Sequence, residues 1–361
     1  MATCCLRLSR AAMGNVSRMS DEWGAAPEDG AEALDGASVA MVPGRQVRRG
    51  LLVLNPKATT TTERTSEVLV GALSSALDLR AVRTERRGHA AELARRAVAE
   101  GYDVIIAFGG DGTVNEVVTG LLAEGPRPGL PSLAVVPGGS TNVFARALGL
   151  PNHAVEATGA LLRLLREGRT RKVSVGAAHS EDDDSDRYFT FSAGYGFDAA
   201  VVGAVERHRR AGRRSTGSLY IRSALSEYIR NTDRKNPPIT CELADGTELP
   251  PLFMAVLANT APWTYLGNRP ILATPDAAFE SGLDLFGMAS MSAIPLWRTV
   301  GRLIAGSRRL DDGRRVLVRH DLSGITLSAD KPVAFQVDGD YLGPRERVTF
   351  RSVPDALRVV A

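Results

Sequence analysis

Cysteine is scarce in this chain. Cys4, Cys5 and Cys241 are its three cysteines among 361 residues. They offer neither a disulfide framework nor a zinc-ligand spacing, and this usage fits a reducing, cytosolic compartment. Long apolar runs are missing as well. No stretch approaches the roughly 18 to 20 residues that a membrane-spanning helix needs, which limits membrane contact to the periphery. Charge is nearly balanced, with 44 Lys and Arg against 41 Asp and Glu, a net of +3. That excess is too small to point to a nucleic-acid partner. Residues 1–10 are basic but have no apolar centre, which argues against a signal peptide. What is present is ordinary globular composition, 44% hydrophobic and 24% charged, enough for two domains with real cores.

The chain is organised around residues 103–116. Residues 104–108 are a continuous apolar run of the kind that forms a parallel strand buried on both faces, and it stops at two glycines. A helix follows at once, because Val114, Val117, Val118, Leu121 and Leu122 recur at helical spacing. Gly109-Gly110-Asp111-Gly112-Thr113 therefore falls at a strand-to-helix turn, where backbone N–H groups and the helix dipole favour an anion. Gly109, Gly110 and Gly112 can take positive φ and let the backbone approach a ligand. Asp111 would repel a bare phosphate. A carboxylate there makes sense if it holds Mg2+, directly or through water, or takes a proton from an attacking hydroxyl. The plainer alternative is glycine used for tight packing alone.

A second turn of the same kind follows. The apolar strand 133–136 runs into Pro137-Gly138-Gly139-Ser140-Thr141-Asn142-Val143-Phe144-Ala145-Arg146, which opens a helix. Two such turns on neighbouring parallel strands put both helix N-termini at the carboxyl edge of one sheet, where open α/β folds bind ligands. Upstream, the strand 51–54 ends at Asn55-Pro56-Lys57, followed by a helix over 63–77, a strand over 79–84 and a helix over 88–99. Residues 158–167 form another helix. Residues 1–47 lack periodicity and predict a disordered leader. Beyond residue 172 short β segments with turn signals between them predict a β-rich, sandwich-like second domain. The acidic run 181–186 reads as a solvated hairpin tip ahead of a metal site. Arg207, His208, Arg209, Arg210, Arg213 and Arg214 read equally as a surface for anionic head groups and as a solvated basic loop. Residues 218–229 form an amphipathic helix that either walls an acyl pocket or belongs to the core. Residues 263–267 read as a loop with aromatic rings. Gln336-Val337-Asp338-Gly339-Asp340 runs a strand into two carboxylates flanking a glycine turn, which is also an ordinary hairpin signal.

In this order the segments resemble the catalytic family of diacylglycerol kinases and sphingosine kinases, which shares Gly-Gly-Asp-Gly with NAD kinases and phosphofructokinases. The fold class expected is an α/β N-terminal domain with a parallel sheet, NAD kinase/diacylglycerol kinase-like, plus the β-rich second domain. Residues 48–168 would be the nucleotide-binding domain, to which 355–361 return as a strand, and 169–354 the lipid-substrate domain. The resemblance implies ATP and Mg2+ as cofactors and transfer of the γ-phosphate to a lipid hydroxyl, most naturally diacylglycerol to give phosphatidic acid. The protein would be cytoplasmic and peripheral at the inner face of the membrane, with a lipid partner and no nucleic acid.

Residue by residue, the resemblance has Gly109, Gly110, Gly112 and Thr113 cradle phosphate, and Asp111 organise Mg2+ or polarise the hydroxyl. Asn55, Thr84, Asn115, Glu116, Gly139, Ser140 and Asn142 complete the nucleotide site, and Asp340 takes the proton. Thr84 reads equally as a strand end, Asn142 as a cap, and Glu116 as an acid favoured by the helix dipole. Several positions depart from the family pattern: threonines at 59–62 stand where glycine or serine is usual, and Ser140 replaces a threonine. Val143 stands where an aspartate is usual, and Ser281 replaces the first acid of a metal-binding element, leaving Asp284 as its one carboxylate. Two rival functions share parts of this pattern: an NAD kinase-type kinase of a soluble metabolite, and a non-catalytic lipid-binding protein.

Overall fold

The computed structural model describes residues 49–361 except 60, 184, 211–216, 231–232 and 312. The expected leader, and Arg213 and Arg214 of the basic cluster, lie outside the described residues.

The first half alternates strand and helix: β1 (Arg49–Leu54), α1 (Glu63–Ser74), β2 (Asp78–Arg83), α2 (His89–Ala99), β3 (Val104–Gly109), α3 (Asp111–Leu121), β4 (Ser132–Pro137), α4 (Val143–Ala147) and α5 (Ala154–Glu167). The strands are parallel in the order β4-β3-β1-β2. The apolar runs take the inner positions because helices cover both faces of a parallel sheet. Every residue of β3 and β4 is buried, whereas β2, with its polar sequence, is the exposed edge. Thr62 starts α1 by accepting the Thr65 N–H at 3.1 Å. The helix ends at Ser74, short of the expected residue 77, where the Ser75 hydroxyl turns back on the Ala72 carbonyl at 2.7 Å. Gly120 lets α2 and α3 touch, since a Cβ there would come within 2.7 Å of Ala94 Cβ and closer still to the Ala91 carbonyl.

The second half is β-rich and antiparallel. It runs β5 (Arg171–His179), β6 (Arg187–Phe189), β7 (Ser192–Gly196), α6 (Phe197–Arg210), α7 (Gly217–Arg230), β8 (Ile239–Leu243), β9 (Glu248–Leu252), β10 (Met254–Ala258), β11 (Thr264–Leu266), β12 (Arg269–Ile271), β13 (Leu283–Met288), α8 (Ala293–Ala305), β14 (Val316–Leu322), β15 (Gly324–Val337) and β16 (Asp340–Val359). The order β14-β13-β10-β7-β15-β16 continues into β4, so one hydrogen-bonded sheet joins both halves. The join is the end of β16, where Val359 pairs with Leu133 of β4 in parallel and the Val360 N–H donates to the Leu133 carbonyl at 2.8 Å.

Phe335 meets Phe350 edge-to-face at 6.0 Å, and Phe350 meets Phe189 at 6.4 Å, inside the antiparallel part. Gly176 makes room for the Phe189 ring, which occupies the space a Cβ would need. Residues 264–266, expected in a loop, pair with β12 as a hairpin. The acidic run is a hairpin tip, and among its described residues Asp183 pairs with Arg345 at 3.2 Å and Arg187 at 3.5 Å, and Asp186 lies against Arg351 and His179.

Gly120→Val should lower the unfolding free energy by about 2 kcal/mol, because overpacking forces α2 and α3 apart. The check is a urea midpoint that falls with an unchanged slope.

Candidate active site

The ends of β3 and β4 lie side by side, with Gly109 opposite Pro137 and the Gly138 N–H donating to the Gly109 carbonyl at 2.7 Å. The two glycine turns then pass backbone to backbone, since a Cβ on Gly139 would stand 2.7 Å from Gly110 Cα. None of Gly109, Gly110 and Gly112 uses positive φ, contrary to the role given them above. Contact explains two of them instead. A Cβ on Gly109 would press within 2.7 Å of Thr113 Cβ, and Gly110 lies against Gly139, whereas Gly112 faces open space at the start of α3.

Most polar side chains of the motif turn back onto the backbone. Asn55 donates to the Thr113 hydroxyl at 2.9 Å and accepts the Lys57 N–H at 3.0 Å, which ties the β1 turn to α3. Glu116 accepts the N–H groups of Gly88 at 2.9 Å and Ala90 at 3.2 Å, capping α2. Asp111 accepts from Val143 at 3.1 Å and Phe144 at 3.2 Å, capping α4. The N-terminus of α4, expected to face ligand, is therefore taken by Asp111, and the start of α3 is the open one. Asn142 is buried in the left-handed region, φ 50°. Its side chain accepts from Gly139 N–H at 2.8 Å and donates to the Gly139 carbonyl at 2.9 Å and to Asn152 at 2.8 Å, which closes the turn. Thr84 ends β2 with its N–H on the Leu54 carbonyl at 2.7 Å. Ser140 is exposed beside Thr141.

Asn115 leads to the second half of the chain. It donates to the Tyr188 carbonyl and to Asp338, both at 2.8 Å. Asp338 is buried and also accepts the N–H and hydroxyl of Thr190 at 2.7 and 2.9 Å, Phe191 N–H at 3.0 Å and Ser192 N–H at 3.1 Å. Two residues on, Asp340 is ion-paired with Arg87 in the loop before α2. Gln336 donates to Asp198 at 2.9 Å and accepts the Gly339 N–H at 2.8 Å, fixing the turn against α6.

The electrostatics follow from burial. Loss of water pushes Asp111 up to about 6, with the amide bonds from Val143 and Phe144 pulling the other way and the charge of Asp338 adding to the rise. Burial pushes Asp198 up to about 6 against the Gln336 hydrogen bond, and Asp338 upward against its donors. Three buried carboxylates, all shifted upward, thus gather around one turn system.

Asp284 belongs elsewhere, on β13, buried, with one oxygen held by His320 at 2.8 Å and Asp321 N–H at 3.1 Å and the other without a partner. The Ser281 hydroxyl is spent on the Ala278 and Gly282 carbonyls. Among the described residues no three His, Cys, Asp or Glu converge as a cation site. A single carboxylate beside an imidazole does not suit Mg2+, which takes oxygen ligands.

Residues 49–178 match the family model described as the diacylglycerol kinase catalytic domain. Over that stretch the chain is similar to this family. The diacylglycerol kinase of Staphylococcus aureus strain JH9 is 45% identical over 106 residues, 29% of this chain and 30% of that protein. The same figures hold for the one from strain Newman. The matched stretch thus spans about a third of the curated relatives. A diacylglycerol kinase from Bacillus anthracis has a crystal structure that overlays at TM-score 0.63 with 20% identity, covering 88% of this chain and 97% of that one. A second crystal structure from that organism reaches 0.68 with 22% identity over 88% and 96%. These likenesses place the same fold over both halves. The matched stretch contains every polar residue of the two glycine turns, and the residues that reach this candidate site from outside it are Asp198, Gln336, Asp338 and Asp340. Arg87, Asp198 and Gln336 escaped sequence reasoning, for Arg87 stands 253 positions from its partner Asp340. A weak signal existed in Asp198, an acid at the first turn of a helix that follows a buried strand.

Asp338→Ala should cost about 3 kcal/mol or more, since buried donors left unpaired cost about 1–3 kcal/mol each. Urea unfolding of the variant measures it. Asp111 gives a pH test. Its folded pKa lies above the ordinary 3.8, at about 6, so its contribution to stability is full below about pH 4 and is lost as pH rises through about 6. Asp111→Asn has no such loss. The stability difference should therefore move in the variant's favour between about pH 4 and 7 in parallel unfolding titrations.

Proposed function

We propose that the chain is an ATP-dependent lipid kinase that transfers the γ-phosphate of Mg-ATP to the hydroxyl of diacylglycerol, giving phosphatidic acid at the cytoplasmic face of a membrane. The observation that supports this most is the close passage of two glycine turns, Gly110 against Gly139, at the carboxyl ends of β3 and β4. It leaves the open N-terminus of α3, with Gly112 facing space, for phosphate oxygens. Asn55 and Thr113 hold that turn from below, and Thr84, Asn115, Glu116, Ser140 and Asn142 shape the walls around the nucleotide. The divalent ion enters with the nucleotide as part of the substrate.

In the reaction the lipid oxygen forms a bond to the γ-phosphorus while the bond to the β,γ-bridging oxygen breaks, and ADP leaves with the charge. The hydroxyl proton passes to Asp340. Its ion pair with Arg87 couples the two events, because protonation of Asp340 frees the guanidinium for the transferred phosphoryl oxygens. Asp111 acts by fixing α4 and Gly139 against the first turn, and positioning carries most of the catalysis in phosphoryl transfer.

Labelled ATP with diacylglycerol in mixed micelles, and NAD as a parallel acceptor, tests this. Labelled phosphatidic acid should form, Asp340→Asn should lower kcat by about 10²–10⁴-fold with an unchanged unfolding midpoint, and Asp111→Asn should lower activity. Label in NAD alone, or in neither acceptor, overturns the lipid-kinase assignment. Wild-type turnover by Asp340→Asn removes that acid from the chemistry.

A further inference from the structure

Two helices of the second half turn apolar side chains to water. On α7, Ile221, Leu225 and Ile229 recur every four residues on one stripe, with Ile221 66% and Ile229 63% exposed. On α8, Ile294, Trp297 and Ile304 share another stripe, with Ile294 72% and Trp297 66% exposed. Inward-facing residues of both helices, Tyr228 and Leu303, pack on one apolar cluster around Met291. The Tyr228 hydroxyl donates to the Met291 carbonyl at 3.0 Å, fastening the end of α7 to the start of α8.

Charge decides what covers these stripes. Helix α8 contains no acid, and the single acid of α7, Glu227, is buried and faces Arg207 at 3.1 Å. Arg222, Arg298 and Arg302 are exposed beside the stripes and have no ion-pair partner among the described residues. Apolar ridges with a tryptophan, rimmed only by cations, suit the boundary between head groups and acyl chains of an anionic bilayer. The face also connects to the proposed site. Helix α7 packs on α6, which carries Asp198 in its first turn and Gly203 against Tyr341, next to Asp340.

We infer that α7 and α8 form a bilayer-docking face, with Ile221, Leu225, Ile229, Ile294, Trp297 and Ile304 entering the acyl boundary and Arg222, Arg298 and Arg302 against lipid phosphates. The inference rests on the lipid-kinase reading for its purpose, while its test needs no substrate. The full chain is sedimented with vesicles of phosphatidylcholine, alone or mixed with phosphatidylglycerol. Wild type should bind the anionic vesicles more strongly and release them as salt rises. The combined variant Ile294→Ser, Trp297→Ser, Ile304→Ser should bind at least about tenfold more weakly with its unfolding midpoint intact, and Arg298→Glu with Arg302→Glu should lose the anionic preference. Turnover of a short-chain, water-soluble diacylglycerol should be the same in wild type and variants, and turnover of vesicle-held diacylglycerol should fall in the variants. Vesicle binding with no lipid phosphorylated would leave the docking face standing and remove the kinase reading. Wild-type sedimentation by the serine variant overturns the docking face. So does self-association of the wild type in vesicle-free sedimentation velocity that the serine variant abolishes, because the face then belongs to a second copy.

Discussion

A buried carboxylate has to be matched by donors, and Asp338 is matched by five, drawn from Asn115 on α3 and from residues 190–192 between β6 and β7. This is the constraint on which the site depends. Asn115 belongs to the helix opened by the first glycine turn, and Asp338 to the turn that presents Asp340. Through this one oxygen pair the first glycine turn of the α/β half is held at a fixed place against the acidic turn of the β-rich half. The long β16 strand adds a second tie by running from that turn back to Leu133 of β4.

The same economy recurs with the other acids of the motif. Asp111 and Glu116 point at the N-termini of α4 and α2, where unpaired amides and the helix dipole favour negative charge. Each acid of one loop thereby positions the next loop: Asp111 sets the second glycine turn, and Glu116 sets Gly88 and with it Arg87. The chain of contacts closes when Arg87 reaches Asp340. Side chains that look like ligands in the sequence are thus braces for the backbone of the two turns. Such preorganisation is what phosphoryl transfer asks of a protein.

The β-rich half has a second polarity. One side builds the site through β7, β15 and α6. The other covers its own apolar cluster with α7 and α8, whose outer faces remain apolar and cationic. Because α6 packs against both, the two surfaces are mechanically adjacent in this fold.

The sequence by itself determined the elements whose signal is local. The apolar runs of β1, β3 and β4, the periodicity of α3, the two glycine turns and the switch to short strands after residue 172 follow from side-chain burial and backbone freedom, which act over a few residues. Tertiary structure alone decided what each polar residue of the site does. Glycine at 109 and 110 answers Thr113 and Gly139 by contact, whereas the left-handed backbone belongs to Asn142 and Asp338. The pairings of Asp111 with α4, Asn115 with Asp338 and Arg87 with Asp340 join residues far apart in the chain. A carboxylate takes whichever donors the packed fold brings to it, and no local pattern specifies which those are.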